Sequence, residues 1–223
     1  FYDIFSMVHA LFSGHRNFLI LGVSGALFFP FIRLFTKVRL VTNIDGIEWQ
    51  RDKWKGLAKI FLKFSEYLAV KFSTTLVSDN EAITDYIWEH YKCKCKTIAY
   101  GGDHAIKFKP SLDVIDSDIT DFMPYALSIC RIEPENNIHL ILEAFSKGEH
   151  KIVFIGNWDS SEYGRSLHRN FTGNNNIKLL DPIYCLETLY QYRSSCLVYI
   201  HGHSAGGTNP SLVEMMHFEK PII

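Results

Sequence analysis

The sequence lacks the special devices by which a chain is stapled, anchored or drawn to a polyanion. Its five cysteines (Cys93, Cys95, Cys130, Cys185 and Cys196) are odd in number and scattered. That suits reduced thiols in a cytosol better than a disulfide framework. Cys93-Lys-Cys95 has no second pair to complete a zinc site. Charge of either sign is not in excess: 23 Lys and Arg against 24 Asp and Glu leave a net charge of -1. The chain therefore has no global drive toward nucleic acid, and any basic surface must be local. No internal repeat or low-complexity segment is visible. Phe18 to Ile32 carries no charge, but Gly22, Ser24, Gly25 and Pro30 interrupt it and Arg33 closes it. A spanning helix needs roughly 20 apolar residues, so this stretch reads as strand, turn and buried helix.

What is present is a globular composition. The 223 residues, 47% hydrophobic and 21% charged, suffice for one large or two small domains with a sizeable core. The chain enters at Phe1 directly into an apolar helical pattern and finishes on Lys220-Pro-Ile-Ile223, the opening of a further buried strand. It is expected to be an internal segment of a longer protein.

Short apolar runs alternate with helical periodicity. Strands are expected at 18–21, 38–42, 75–78, 96–100, 125–130, 151–155, 177–180 and 196–200. Asp79 or Asn80 caps a helix running to about Tyr91. Lys55 to Phe72 is the clearest amphipathic helix, with Leu57, Ile60, Phe61, Phe64 and Leu68 on one apolar face expected to pack inward. Lys55, Lys59 and Lys63 line another face. With Trp49, Arg51, Lys53 and Trp54 upstream, they form either a solvated stripe or a patch for anionic lipid head groups. Residues 106–122 lose periodicity and read as a linker between a partial first domain, 1–105, and a partial second domain, 123–223. Asp116-Ser-Asp118 lies in that linker, where surface charge is a better reading than a metal-binding Asp-x-Asp. The class is α/β with parallel sheets, whose ligand loops lie at the carboxyl ends of the strands.

Several of those strand ends carry chemistry. His201-Gly-His-Ser-Ala-Gly-Gly-Thr-Asn-Pro-Ser-Leu-Val-Glu214 follows a strand and opens a helix. Gly206, Gly207 and Thr208 offer backbone N–H groups to an anion beside a helix N-terminus. The competing reading is punctuation: an Asn209-Pro210 cap, or a Ser211-to-Glu214 capping box. Arg131, just past a strand, is placed to neutralise a phosphate bidentately. Asn43-Ile-Asp-Gly-Ile-Glu-Trp-Gln-Arg51 forms a polar, aromatic loop in which Asp45, Glu48 and Arg51 supply acid–base or sugar-binding groups. Gly101 and Gly102 end another strand, Gly156 follows 151–155, and Asp181 follows 177–180. His201 and His203 alone are too few for a metal site.

Four motifs in order, Asn43-Ile-Asp-Gly-Ile-Glu-Trp, Ala99-Tyr-Gly-Gly-Asp-His104, Cys130-Arg-Ile-Glu-Pro-Glu-Asn-Asn and the 201–214 stretch, resemble bacterial rhamnosyltransferase-type members of glycosyltransferase family 4. The resemblance runs over nearly the whole chain. It implies a GT-B architecture, two Rossmann-like domains facing a cleft, both incomplete here. It implies a nucleotide-sugar donor, dTDP-rhamnose or a UDP-sugar, with no cofactor and no metal required. The acceptor would be a lipid-linked saccharide, handled in the cytoplasm with peripheral contact to the inner membrane. By the same resemblance, Arg131 contacts the donor diphosphate and Glu214 the ribose, and both join Asp45 as catalytic candidates. Donor contacts extend to Asn136, Gly156, Asp181, His203, Gly206, Gly207 and Thr208, while Asp45, Glu48, Arg51, Gly101 and Gly102 lie on the acceptor side. The chain departs from the pattern where Gly206 replaces a glutamate and Asn136 a lysine. Other readings remain: a UDP-sugar transferase, a nucleotide-sugar epimerase, a non-catalytic nucleotide- or polysaccharide-binding module, or a membrane-interaction domain built on the lysine helix.

Overall fold

The computed structural model describes residues 2–51, 54–107, 117–204 and 207–223, with only the backbone of Ser117 and Asp118. Lys53, Asp116 and Gly206, singled out above, lie outside these residues, as does most of the expected linker.

The described residues form two compact units: those up to Tyr100 with Gly207 and Thr208, and those from Gly101 to Ser204 with 209–223. The first runs α1 (Tyr2–Phe12), β1 (Asn17–Leu21), α2 (Phe29–Phe35), β2 (Arg39–Ile44), α3 (Leu57–Phe72), β3 (Thr75–Ser78), α4 (Glu81–Tyr91) and β4 (Lys96–Thr97). Its four strands are parallel in the order β1-β2-β3-β4. Each crossover steps in the same direction, so the right-handed rule places α2, α3 and α4 on one face. Phe18, Phe29, Ile32, Leu40, Ile44, Leu76 and Ile87 build the core. Asn80 caps α4 by accepting the Ile83 N–H at 3.0 Å. β4 is shorter than its apolar run because β3 stops at Ser78. The Ile98 N–H still donates to the Ser78 carbonyl at 2.8 Å, after which the partner strand has turned into the α4 cap.

Helix α3 reverses the expected packing. Of the five residues assigned inward, only Leu68 is buried, whereas Leu57, Ile60, Phe61 and Phe64 are exposed. The inward side instead holds Leu62, Ser65, Glu66, Ala69 and Val70 with Leu68. Glu66 is the charged residue on that inward side. Its carboxylate accepts hydrogen bonds from the Tyr86 hydroxyl at 2.7 Å and the Tyr91 hydroxyl at 2.5 Å, both from α4. Both bonds fall on Oε1 and fasten the inward side of α3 to α4, while the buried Oε2 has no partner among the described residues. Both phenols stay protonated as donors: burial, then the Glu66 contact, pushes Tyr86 up to about 12 and raises Tyr91 as well.

The second unit runs α5 (Ser117–Thr120), β5 (Tyr125–Ile129), α6 (Ile138–Lys147), β6 (Lys151–Ile155), α7 (Glu162–Phe171), β7 (Ile177–Leu180), α8 (Leu186–Ser195), β8 (Val198–Tyr199) and α9 (Pro210–Met216). Its parallel sheet has the order β7-β6-β5-β8. Leu127, Val153, Phe154, Ile155 and Tyr199 are almost wholly buried, as strands covered on both faces require. Beyond β8, the Tyr199 N–H donates to the Pro221 carbonyl and the Ile223 N–H to the Tyr199 carbonyl, each at 2.9 Å. The Pro-Ile-Ile end thus begins to pair as an added strand. Two details differ from the expected organisation. Ile119, inside the expected linker, is buried in the core with Tyr125. Gly101 and Gly102, expected on the acceptor side of the first domain, cluster with the second unit. Gly102 packs so tightly on α9 that a Cβ would lie 2.5 Å from the Val213 carbonyl oxygen.

Candidate functional site

In the second unit the chain proceeds from β5 to β6 to β7 in one direction, then returns to place β8 on the other side of β5. The loops after β5 and β8 diverge at this switch point, the place where open α/β sheets bind ligands. Here the two loops are stitched together. Asn136, 5% exposed, donates from Nδ2 to the Arg131 carbonyl at 2.6 Å and meets His203 Nδ1 through Oδ1 at 2.6 Å. Asn137 Nδ2 donates to the Gly202 carbonyl at 2.9 Å. The Ser204 N–H and hydroxyl both donate to the Glu135 carbonyl, at 3.0 and 2.8 Å. Arg131, Asn136 and His203 are therefore brought together, but in different capacities. Asn136, where the family resemblance places a phosphate-binding lysine, spends both ends of its amide on protein. Arg131 keeps its guanidinium exposed, paired loosely with Glu133 at 3.6 Å.

Gly156 and Asp181 end the neighbouring strands of this edge. The need for glycine at 156 comes from the protein itself, since an added Cβ would collide with Ile132 and the Cys130 carbonyl. Asp181 is exposed beyond β7. The His201 and His203 rings lie 5.8 Å apart, and burial, then the neighbouring His203, lowers the His201 pKa. Among the described residues no three His, Cys, Asp or Glu side chains gather as a metal site would need.

Of the local readings of the 209–214 helix start, the structure bears out the Asn209-Pro210 cap, with Pro210 opening the helix. Asn209 is the cap, its side chain accepting the Ser211 N–H at 2.9 Å, so Ser211 does not open a capping box. With seven residues, α9 offers an anion only a weak dipole. Glu214 turns to the protein: one oxygen pairs with Arg193 of α8, and the other lies 2.9 Å from His104 Nε2. The Arg193 side chain is 3% exposed, so Glu214 neutralises a buried cation. Sequence reasoning missed Arg193 and His104 as partners because they lie 21 and 110 positions away. A buried arginine in the last turn of α8 leaves no local signal.

In the first unit the loop after β2 holds Asp45, Glu48 and Arg51. Glu48 accepts from Arg51 at 3.1 Å and from Trp54 Nε1 at 2.8 Å, so both acceptor-side candidates help order their own loop. Asp45 reaches solvent at the end of β2. Its carboxyl pKa is nevertheless raised, by partial burial first and then by the Asp79 and Glu48 charges. Gly207 and Thr208 cluster with this unit. The Thr208 N–H donates to the Asp79 carboxylate at 2.7 Å, and Gly207 lies against the Asp45 carbonyl with no room for a side chain. The close approach foreseen for a ligand is made here by backbone. Asp79, buried at the end of β3, was expected only as a possible cap; its link to Thr208 spans 129 positions.

Two parallel, helix-covered Rossmann-like sheets in one chain define an α/β fold of the GT-B type. Residues 7–103 match a family described as a domain of unknown function, DUF1972. No curated protein matches the chain in sequence. Among solved structures, sucrose-phosphate synthase from Thermosynechococcus elongatus superposes with a TM-score of 0.75 at 11% identity, over 97% of this chain and 57% of that one. Anabaena HepE, in complex with UDP and glucose, gives 0.68 at 16% identity, over 92% and 58%. An α,α-trehalose-phosphate synthase (UDP-forming) from Burkholderia vietnamiensis gives 0.63 at 15%, over 91% and 54%. At these identities the likeness establishes fold. The chain spans somewhat more than half the length of the structures it resembles.

Proposed function

We propose that the chain is part of a glycosyltransferase that moves a sugar, rhamnose in our reading, from a nucleoside-diphosphate donor to a lipid-linked saccharide. The carrying observation is the second unit's switch point, where two loops stitched through Asn136 and His203 leave the Arg131 guanidinium exposed. Transfer builds positive charge on the anomeric carbon and negative charge on the departing diphosphate, so pre-oriented cations at that phosphate stabilise the transition state most. In this reading Arg131 pairs with the diphosphate. Asn136 and His203 hold its loop, and Gly156 and Asp181 border the site. Glu214 positions α9 through Arg193 and His104 and reaches the ribose only with the lone pairs those partners leave. Gly207 and Thr208 line the donor loop.

The acceptor hydroxyl oxygen bonds to the anomeric carbon as the carbon–oxygen bond to the diphosphate breaks, and the leaving group takes the electron pair. The hydroxyl proton passes to a carboxylate, a role we give to Asp45. Its raised pKa strengthens it as a base. Glu48 and Arg51 order the acceptor-side loop. The donor is dTDP-rhamnose by family resemblance, or a UDP-sugar by analogy with the UDP-bound and UDP-forming structural neighbours. The setting is the cytoplasm, with peripheral contact to the inner membrane.

Calorimetry with dTDP and UDP tests the donor site. Arg131→Ala is expected to weaken the preferred nucleotide about tenfold or more, from the roughly 1.5–3 kcal/mol of a hydrogen bond to a charged group. Unchanged affinity would remove Arg131 from the site. A donor-panel transfer assay then identifies the sugar.

A further inference from the structure

Helix α3 is amphipathic the wrong way round for a core helix. Leu57 is 85% exposed, Ile60 66%, Phe61 42%, Phe64 52% and Tyr67 42%. At 3.6 residues per turn these five positions form one stripe along the outer side. Its inner side carries Glu66, held between Tyr86 and Tyr91, so rolling the stripe inward would break two part-buried hydrogen bonds. Lys59 and Lys63 form one border, their Nζ atoms 5.6 and 4.8 Å from the Trp49 ring. Lys71 sits over Tyr67 at 5.9 Å, and Phe64 and Tyr67 stack at 6.4 Å. The only acidic residue of α3 is Glu66, and it is buried. The outer charge of the helix is therefore entirely positive. On the neighbouring α2, Phe31, Leu34 and Phe35 are also exposed.

We propose that the outer face of α3 is a membrane-docking surface for lipids with anionic head groups. An apolar stripe bordered by lysines and aromatics lies in the head-group boundary with the apolar residues down and the ammonium groups at the phosphates. Charge argues for lipid over a second copy of the chain, since a two-fold contact through this helix would bring like lysine borders together. Trp49 and Tyr67 suit the same depth, as amphipathic rings do at membrane interfaces. The surface stands on the helix geometry. Only its link to a lipid-linked acceptor rests on the transfer reading.

The test is co-flotation of the chain with phosphatidylcholine vesicles, with and without half phosphatidylglycerol. Three forms are compared: wild type, Phe61→Ser/Phe64→Ser, and Lys59→Gln/Lys63→Gln. Wild type is expected to float with the anionic vesicles. The aromatic pair should lose at least tenfold in apparent affinity, and the lysine pair should lose its preference for anionic over neutral vesicles. Because these positions are exposed, melting temperature and sedimentation mass should match wild type in both variants. The idea is overturned if wild type stays in solution, or if the aromatic variant binds equally well. It is also overturned if that variant melts much lower, since another part of the protein would then cover the stripe, or if its mass changes, since a second copy would. Transfer to a water-soluble acceptor without vesicles separates this proposal from the enzymatic one: retained transfer with no flotation sinks only the docking surface, and flotation without transfer sinks only the enzyme reading.

Discussion

The two units carry the same architecture and use their polar groups in opposite ways. In the second, polar side chains are turned inward to tie loops together: Asn136 to His203, Asn137 to Gly202, Glu214 to Arg193 and His104. In the first, helix α3 buries a polar group, Glu66, on its inner side and leaves its apolar residues facing out. The difference teaches that hydrophobic pattern alone does not orient a helix. Leaving a carboxylate buried and unpaired costs more than exposing several apolar side chains, because surface Leu and Phe are common and buried unpaired charge is rare.

The sharpest way to break this contrast is Glu214→Ala. Removing one partner of a buried ion pair leaves Arg193 uncompensated, and stability should fall by about 3–5 kcal/mol in denaturant unfolding. Adding Arg193→Met should restore much of it, and this control separates folding from ligand effects at the same residue. Next comes Glu66→Ala in the first unit. It removes the acceptor shared by two part-buried phenol hydroxyls and should cost about 1–3 kcal/mol, whereas Leu57→Ser on the outer stripe should cost less than about 0.5 kcal/mol. Equal losses at 57 and 66 would contradict the assigned rotation of α3. Asn80→Ala, removing the α4 cap, should cost about 1 kcal/mol.

The smallest effect is one of sign. Asp45 titrates above its ordinary 3.8 in the folded chain, so the folded state holds that proton more tightly than the unfolded state does. Its favourable contribution is complete below the unfolded value and is lost as pH rises through the raised folded one. At neutral pH wild type bears an ionised Asp45 under strain, and Asp45→Asn should melt slightly higher there, with the gain disappearing in acid. A lower melting temperature at neutral pH would contradict the crowding of this carboxyl.

Much of the fold was legible in the chain because it is written locally. Runs such as Lys151-Ile-Val-Phe-Ile155 are buried strands in any context, and the Asn80 cap of α4 is read from adjacent positions. The site was legible only as a set of loop ends. Arg131 stands where a strand stops, and that much needs no tertiary information. The partners of Glu214, the engagement of the Thr208 N–H by Asp79, and the need for glycine at 102 and 156 come from residues far away in sequence. The 201–214 stretch, which reads equally as an anion loop or as helix punctuation, is capped by Asn209 and anchored by Glu214.

By itself the sequence determined the alternation of parallel strands and helices, and the polar loops at their carboxyl ends, since periodicity and turn chemistry act over a few residues. Only the tertiary structure decided which way α3 faces and what each polar side chain is paired with. Those outcomes depend on contacts between distant residues, and the partners that Glu66 and Arg193 find are supplied by other helices.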